Sequence, residues 1–164
     1  MEVEKSKSCC FTGHREIASG TENYLFGRIK DGILYLYEHG IKFFLTGGAI
    51  GFDTLAAQAV LDYKKRYEDI RLIVVTPCQD QAKKWRREDV EMYEYIKKCA
   101  DDVICLSEHY YGGCMQKRNR YLVDHSCVCI CYLTKEDGGT AYTVKYAKSR
   151  GLKTFNLARN AHVR

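Results

Sequence analysis

Short apolar runs alternate with helical stretches of ten or more residues along almost the whole of this sequence. The runs "CCF", "IKFFLT", "IRLIVVTP", "DVICLS", "CVCICYL" and "KTFNLA" are separated by segments whose apolar residues recur at spacings of three and four. In "ENYLFGRIKDGILYLYEHG" those residues are Leu25, Ile29, Ile33, Leu36 and Tyr37, and Gly40 suits the left-handed turn that stops a helix. Further helices are expected over Phe52 to Tyr67, Trp85 to Cys99, Met115 to Asp124 and in "AYTVKYAKSRG". The run before Pro77 is continuously Ile/Leu/Val, as in a strand covered on both faces. Strands that alternate with helices form a mostly parallel sheet with helices on both faces, joined by right-handed crossovers. The fold class is therefore α/β, doubly wound.

Such sheets bind ligands beyond the carboxyl ends of their strands. The loops that fall there are "TGHR", "TGGAIGFD", "TPCQDQAKKW", "SEHYYGGCMQKRNR" and "KEDGGTAYT". In the first, Thr12, Gly13, His14 and Arg15 bring a hydroxyl, an imidazole and a fixed cation. Two others are glycine turns that open helices, one at Gly47, Gly48 and Gly51, the other at Gly138 and Gly139 followed by Thr140. Each turn presents backbone N–H groups and the positive end of a helix dipole, which suits a phosphate. The first matches neither G-x-G-x-x-G nor a Walker loop, and its lack of a lysine argues against nucleoside triphosphate hydrolysis.

Asp53, in the first turn of its helix, either complements the helix dipole or holds ribose hydroxyls or a water, and it is the candidate catalytic group. Arg118, Asn119 and Arg120 open an otherwise apolar helix. Arg118 and Arg120 cannot face the same way, so one is free for phosphate while the other makes a structural pair. Trp85, Tyr110 and Tyr111 offer stacking surfaces for a base or packing for the core.

At 164 residues the chain is expected to form one domain, 1–164, with a core from about 8 to 158 and dispensable first eight and last five or so residues. No apolar run has the length of a membrane span or a signal peptide, and nine cysteines in such a chain suggest reduced thiols in the cytoplasm. Cys127, Cys129 and Cys131 alternate along a strand and would share one face at a spacing of about 7 Å, too far for one zinc ion, so no metal is expected. The net charge of +5 is spread over runs such as "YKKRYED" and "AKKWRRED", the pattern of solvated helix faces, and a nucleic-acid groove is the less favoured reading.

"GGAIGFDTLAAQAVL", "RNRYLVDHSCVCICYL" and "GGTAYTVKYAKSRG" resemble, in order and joint spacing, the glycine loop, the R-N-R helix and the following turn of DprA. "TPCQDQAKKW" with "EDVEMYEYI" is similar to the pattern of YpsA-like proteins, so the chain resembles the SLOG superfamily of Rossmann-like proteins, which also holds the LOG phosphoribohydrolases. The resemblance implies a rim pocket for a nucleotide or an NAD-derived ligand such as ADP-ribose, with no cofactor required. Phosphate would lie on Gly47, Gly48, Gly51, Gly138, Gly139 and Thr140, with charge from Arg15 and Arg118 and ribose on Asp53. A ligand-binding or sensor role is favoured over an enzyme. LOG-type hydrolysis of an N-glycosidic bond and DprA-type binding of single-stranded DNA are the alternatives. "DGGTAYTV" departs from the P-G-G-x-G-T-x-x-E pattern of LOG enzymes in lacking its proline and glutamate. A small-molecule nucleotide is the expected partner and a membrane is not, while a homo-oligomer is left open by the sequence.

Overall fold

Each apolar run becomes a strand, because its apolar side chains fit a pleated surface that is buried on both faces in the middle of the sheet and partly exposed at its edges. The structure, a computed structural model, describes residues 2–158. Its strands are β1 (Ser8–Gly13), β2 (Phe43–Thr46), β3 (Arg71–Thr76), β4 (Asp102–Cys105), β5 (Val128–Tyr132) and β6 (Lys153–Asn156). The helices are α1 (Glu22–Glu38), α2 (Phe52–Lys64), α3 (Arg87–Cys99), α4 (Cys114–Asp124) and α5 (Gly139–Ser149). The sheet runs β4-β3-β2-β1-β5-β6 and every pairing is parallel. The doubly wound α/β expectation holds.

Strand alternation divides the core in two. Phe11, Phe44, Leu72, Val74 and Ile130 point to one face, where they meet Ile29 and Ile33 of α1, Phe52 and Val60 of α2 and Ile96 of α3. Cys10, Leu45, Ile73, Val75 and Cys129 point to the other, against Leu122 and Val123 of α4 and Val144 and Ala147 of α5. Burying a side chain of this size contributes about 1.5–3 kcal/mol, so the two faces together carry most of the stability. Cys129 and Cys131 share the α4/α5 face as their spacing requires, but Cys127 does not. It precedes β5, packs with the opposite cluster and donates its thiol to the Ser6 carbonyl. Two further expectations shift. The helix predicted to start at Trp85 begins at Arg87, because Arg86 is extended and Trp85 closes a turn onto the Ala82 carbonyl. The stretch before β1 is packed, with Val3 against the α4/α5 core and the Lys7 carbonyl accepting from the Lys42 N–H. The last residues, expected to be dispensable, lie outside the described part.

The β1 loop and the glycine loop after β2 are pressed together. The His14 carbonyl accepts from the Phe52 N–H at 3.1 Å, and a Cβ on Gly51 would sit 2.2 Å from the Arg15 carbonyl oxygen. Gly51 also has φ of +82°, where side chains are strained. Gly51→Ala is therefore expected to cost at least about 2 kcal/mol. By contrast, Gly27→Ala, on the exposed side of α1 with open space around it, is expected to add roughly 0.5–1 kcal/mol. Urea midpoints of the two variants check both signs, and a neutral Gly51→Ala would contradict the close approach.

Candidate functional site

The chain runs β1 to β4 toward one edge, then returns to place β5 on the other side of β1. Loops after β1 and β5 diverge at this switch point and leave a crevice beyond the strand ends. A cleft of about 340 Å³ occupies it. Of the residues marked by sequence, Thr12, Gly13, His14, Arg15, Asp53, Arg118, Asn119, Gly138, Gly139 and Thr140 all line it. Gly47, Gly48 and Gly51 do not, although Ala49 from the same loop does. Trp85 lines a separate groove of about 630 Å³, which meets the cleft at Arg15 and Met115.

The glycine loop spends its polar groups on the protein itself. The Ala49 N–H donates to Asp53 Oδ2 at 3.1 Å, and Thr54 Oγ1 donates to the Ala49 carbonyl at 3.0 Å. The Gly47 carbonyl accepts from Arg118 Nη1 at 2.5 Å and from Gln81 Nε2 at 3.4 Å. A Cβ at Gly47 would lie 2.6 Å from the guanidinium carbon, so this glycine makes room for Arg118. Arg118 is only 3% exposed, and it also donates from Nη1 to the Val75 carbonyl and Gln81 Oε1 and from Nε to Asn119 Oδ1. Its neighbour Arg120 turns the other way, toward the Tyr142 hydroxyl, as the helix spacing requires.

Asp53 is buried on the floor of the cleft beside this cation. Burial pushes its carboxyl up from 3.8 to about 6, while Arg118, the Ala49 N–H and Arg15 pull it back. With Oδ2 tied to Ala49, Oδ1 has no partner among the described residues. A carboxylate with one open oxygen in a cleft can accept from hydroxyls or take a proton from water. At the opposite wall, α5 begins at Gly139 behind Gly138, which supplies no side-chain cap, so the amides of its first turn are open to the cleft. Arg15 and Lys135 stand exposed at the mouth, and neither has a hydrogen bond or ion pair among the described residues. Lys135 escaped the sequence reading although it lies inside "TKEDGGT", because one lysine in a polar turn carries no signal of its own. His14 is already engaged: its Nε2 accepts from the Thr134 N–H at 2.8 Å, and burial and Lys135 lower its pKa. That bond ties the β1 loop to the β5 loop and occupies the nitrogen a general base would use.

Because the folded protein holds the Asp53 proton more tightly than the unfolded chain does, stability due to this group falls as pH rises from about 4 to about 6. Asp69, held down to about 2 by Lys42 and Tyr37, contributes in the opposite sense in acid. Subtracting the stability of Asp53→Asn from that of the wild type cancels Asp69. The difference, from urea unfolding, is expected to fall by on the order of 3 kcal/mol across that window. A flat difference would contradict the burial of Asp53.

Known proteins share this sequence pattern and fold. The SPbeta prophage-derived protein YoqJ of Bacillus subtilis is 31% identical over 138 residues, which cover 74% of this chain and 81% of YoqJ. DNA processing protein A (DprA) of Streptococcus pneumoniae superposes with a TM-score of 0.68 at 19% identity, over 93% of this chain but only 50% of its own. DprA of Helicobacter pylori, described for its single-stranded DNA binding mode, superposes with a TM-score of 0.65 at 17% identity, over 96% of this chain and 67% of its own. At such identities the likeness to DprA is one of fold. A family model for YpsA, described as the YspA SLOG family, matches residues 11–158 and so takes in both walls of the cleft. The chain is a member of that SLOG family.

Proposed function

We propose that the cleft at the β1/β5 switch point binds a nucleotide or NAD-derived ligand of the ADP-ribose kind. One observation carries this reading: an uncapped helix N-terminus, two unpaired cations and a buried carboxylate with one open oxygen line the same cleft. A phosphate fits the α5 end, where the amides of Gly139 and Thr140 donate and Arg15 and Lys135 supply charge. The Gly47–Gly51 loop is the poorer phosphate site, because its neighbour is the Asp53 carboxylate and its Gly48 and Ala49 amides already donate to Thr46 and Asp53. Asp53 suits ribose hydroxyls instead, which donate to a carboxylate and leave no charge to repel. Arg118 acts from below by balancing Asp53 and holding Asn119, and the solvent-facing cations do the neutralising. The role is that of a binding or sensing domain.

A second reading rests on the same carboxylate. With a pKa near 6 and a free oxygen, Asp53 is a competent general base at neutral pH, as hydrolysis of an N-glycosidic bond needs. Against it stand the missing proline and glutamate of the LOG pattern in "DGGTAYTV". Incubation with AMP and quantitation of free adenine separates the readings: no adenine is expected. Release that disappears in Asp53→Asn would establish the enzyme instead.

For binding itself, calorimetry with AMP at low salt is expected to show a complex that Arg15→Ala and Lys135→Ala each weaken by about tenfold or more. Both side chains are exposed, so neither variant is expected to disturb the fold. Absence of a complex, or affinity indifferent to both substitutions, would refute the proposal.

A further inference from the structure

Beside the cleft, where the β3–α3 and β4–α4 loops face the start of α4, lies the larger groove of about 630 Å³. Three cations border it, Arg15, Lys83 and Lys84, and none has an ion pair among the described residues. Its apolar surface comes from Trp85, Tyr110 and Met115. Trp85 is half-buried and braced edge-on against Tyr93 with 5.2 Å between ring centroids, so its indole is held in place, whereas the Tyr110 ring is 65% exposed. The two loops that carry these rings are tied together by the Gln79 N–H, which donates to the Glu108 carbonyl at 3.3 Å.

The side chains that could read the edge of a nucleobase are already committed. Gln81 accepts from Arg118 Nη1 at 3.3 Å, and its Nε2 donates to the Gly47 carbonyl at 3.4 Å and the Tyr93 hydroxyl at 3.3 Å. Asp80, the one acid of the lining, has Oδ1 buried out of a ligand's reach. Nor does the positive charge continue along the chain. Directly after Trp85, Arg86 is paired with Glu88 and Asp89, and Arg87 with Glu91. A nucleic-acid strand, whose phosphates call for a run of cations, meets only a short patch. Trp, Tyr, Met and Arg are by contrast the side chains that concentrate at the centres of protein–protein contacts. Fixed apolar surface bordered by unpaired cations is complementary to carboxylates that flank an apolar side chain.

We infer that this groove docks an extended, acidic segment of a partner protein. One large apolar side chain of that segment lies against Trp85 and Tyr110, and its carboxylates face Lys83, Lys84 and Arg15. The inference goes beyond the nucleotide reading and does not require it, although Arg15 borders both sites.

Selection from a random heptapeptide library displayed on phage, with the full chain as bait, supplies the probe. The recovered sequence is then made with a fluorescent label, and its affinity is read by polarisation. Recovered sequences are expected to share aspartates or glutamates beside a phenylalanine, tryptophan, leucine or isoleucine. Trp85→Ala should weaken the labelled peptide by about tenfold or more, and Trp85→Phe should restore most of the loss. The double variant Lys83→Glu/Lys84→Glu should weaken it by about tenfold or more and should bind instead a copy of the peptide with lysines in place of its acids. Both lysines are exposed, so this charge-reversed protein decides the matter even where Trp85→Ala disturbs the fold. A library with no sequence enriched over the charge-reversed protein, a consensus without acids, or a peptide indifferent to the Trp85 and lysine variants would overturn the docking site. Displacement of the peptide by an equal concentration of a short oligodeoxyadenylate would overturn the choice of a protein segment. Calorimetry with AMP reads the cleft alone and keeps failure of the docking site apart from failure of the nucleotide reading.

Discussion

The buried guanidinium of Arg118 holds the rim together. From α4 it reaches the carbonyl of Gly47 after β2, the carbonyl of Val75 on β3, the amide oxygen of Gln81 and the side chain of Asn119. Three parts of the chain that are distant in sequence, α4, the loop after β2 and the end of β3 with the loop that follows it, are thereby fixed by one side chain. A cation taken this far out of water costs several kcal/mol, and it is tolerated because carbonyls solvate it and Asp53 balances its charge. The glycine at position 47 is small because the guanidinium lies against it. Asp53 stays low enough to ionise near neutrality because the same cation is close. The floor of the cleft is therefore an electrostatic unit, and the groups proposed to recognise a ligand are mounted on its rim.

This division of labour explains why the cleft holds more positive groups than the proposed ligand would meet. Arg118 belongs to the scaffold. Arg15 and Lys135, exposed and unpaired among the described residues, are the cations that the proposed ligand would meet first. His14 fastens the loops that carry them, through the Thr134 N–H. The β1 loop is in turn anchored on the glycine loop by the His14 carbonyl and the Phe52 N–H, so the wall bearing Arg15 is set by backbone contact. Such anchoring lowers the ordering cost of binding and favours a preformed site.

The inner strands β1, β2, β3 and β5 were legible because they are buried on both faces, which leaves continuous apolar runs that turns interrupt, whereas the edge strands β4 and β6 are only partly buried. The helices were legible for the same reason through their three-and-four spacing, with errors confined to ends such as Trp85, where an aromatic residue in a turn imitates a helical one. Cys127 was placed on the wrong face because alternation applies only inside a strand, and β5 starts one residue later. Most of the cleft was found from the rule that ligands gather beyond the strand ends. What the sequence could not reveal was direction. "GGAIGFD" reads as a phosphate loop until Asp53 is seen to accept from its own loop, and Arg118 reads as a ligand cation until its guanidinium is found under Gly47. Lys135 could be recognised only once β5 and β1 were side by side, since the other cation at the cleft mouth, Arg15, is 120 residues away in the chain. Hydrogen-bond partners across loops are long-range facts, and local spacing does not encode them.

The central claim is that the ligand's phosphate lies on the first turn of α5 while its ribose lies on Asp53. Backbone amide chemical shifts, followed by nuclear magnetic resonance as AMP is added, test it residue by residue. The account predicts the largest shifts at Gly139, Thr140, Ala141 and Arg15, with smaller ones at Ala49 and Asp53. Shifts concentrated on Gly47, Gly48 and Gly51, or on the outer faces of α1 and α3, with α5 silent, would contradict it.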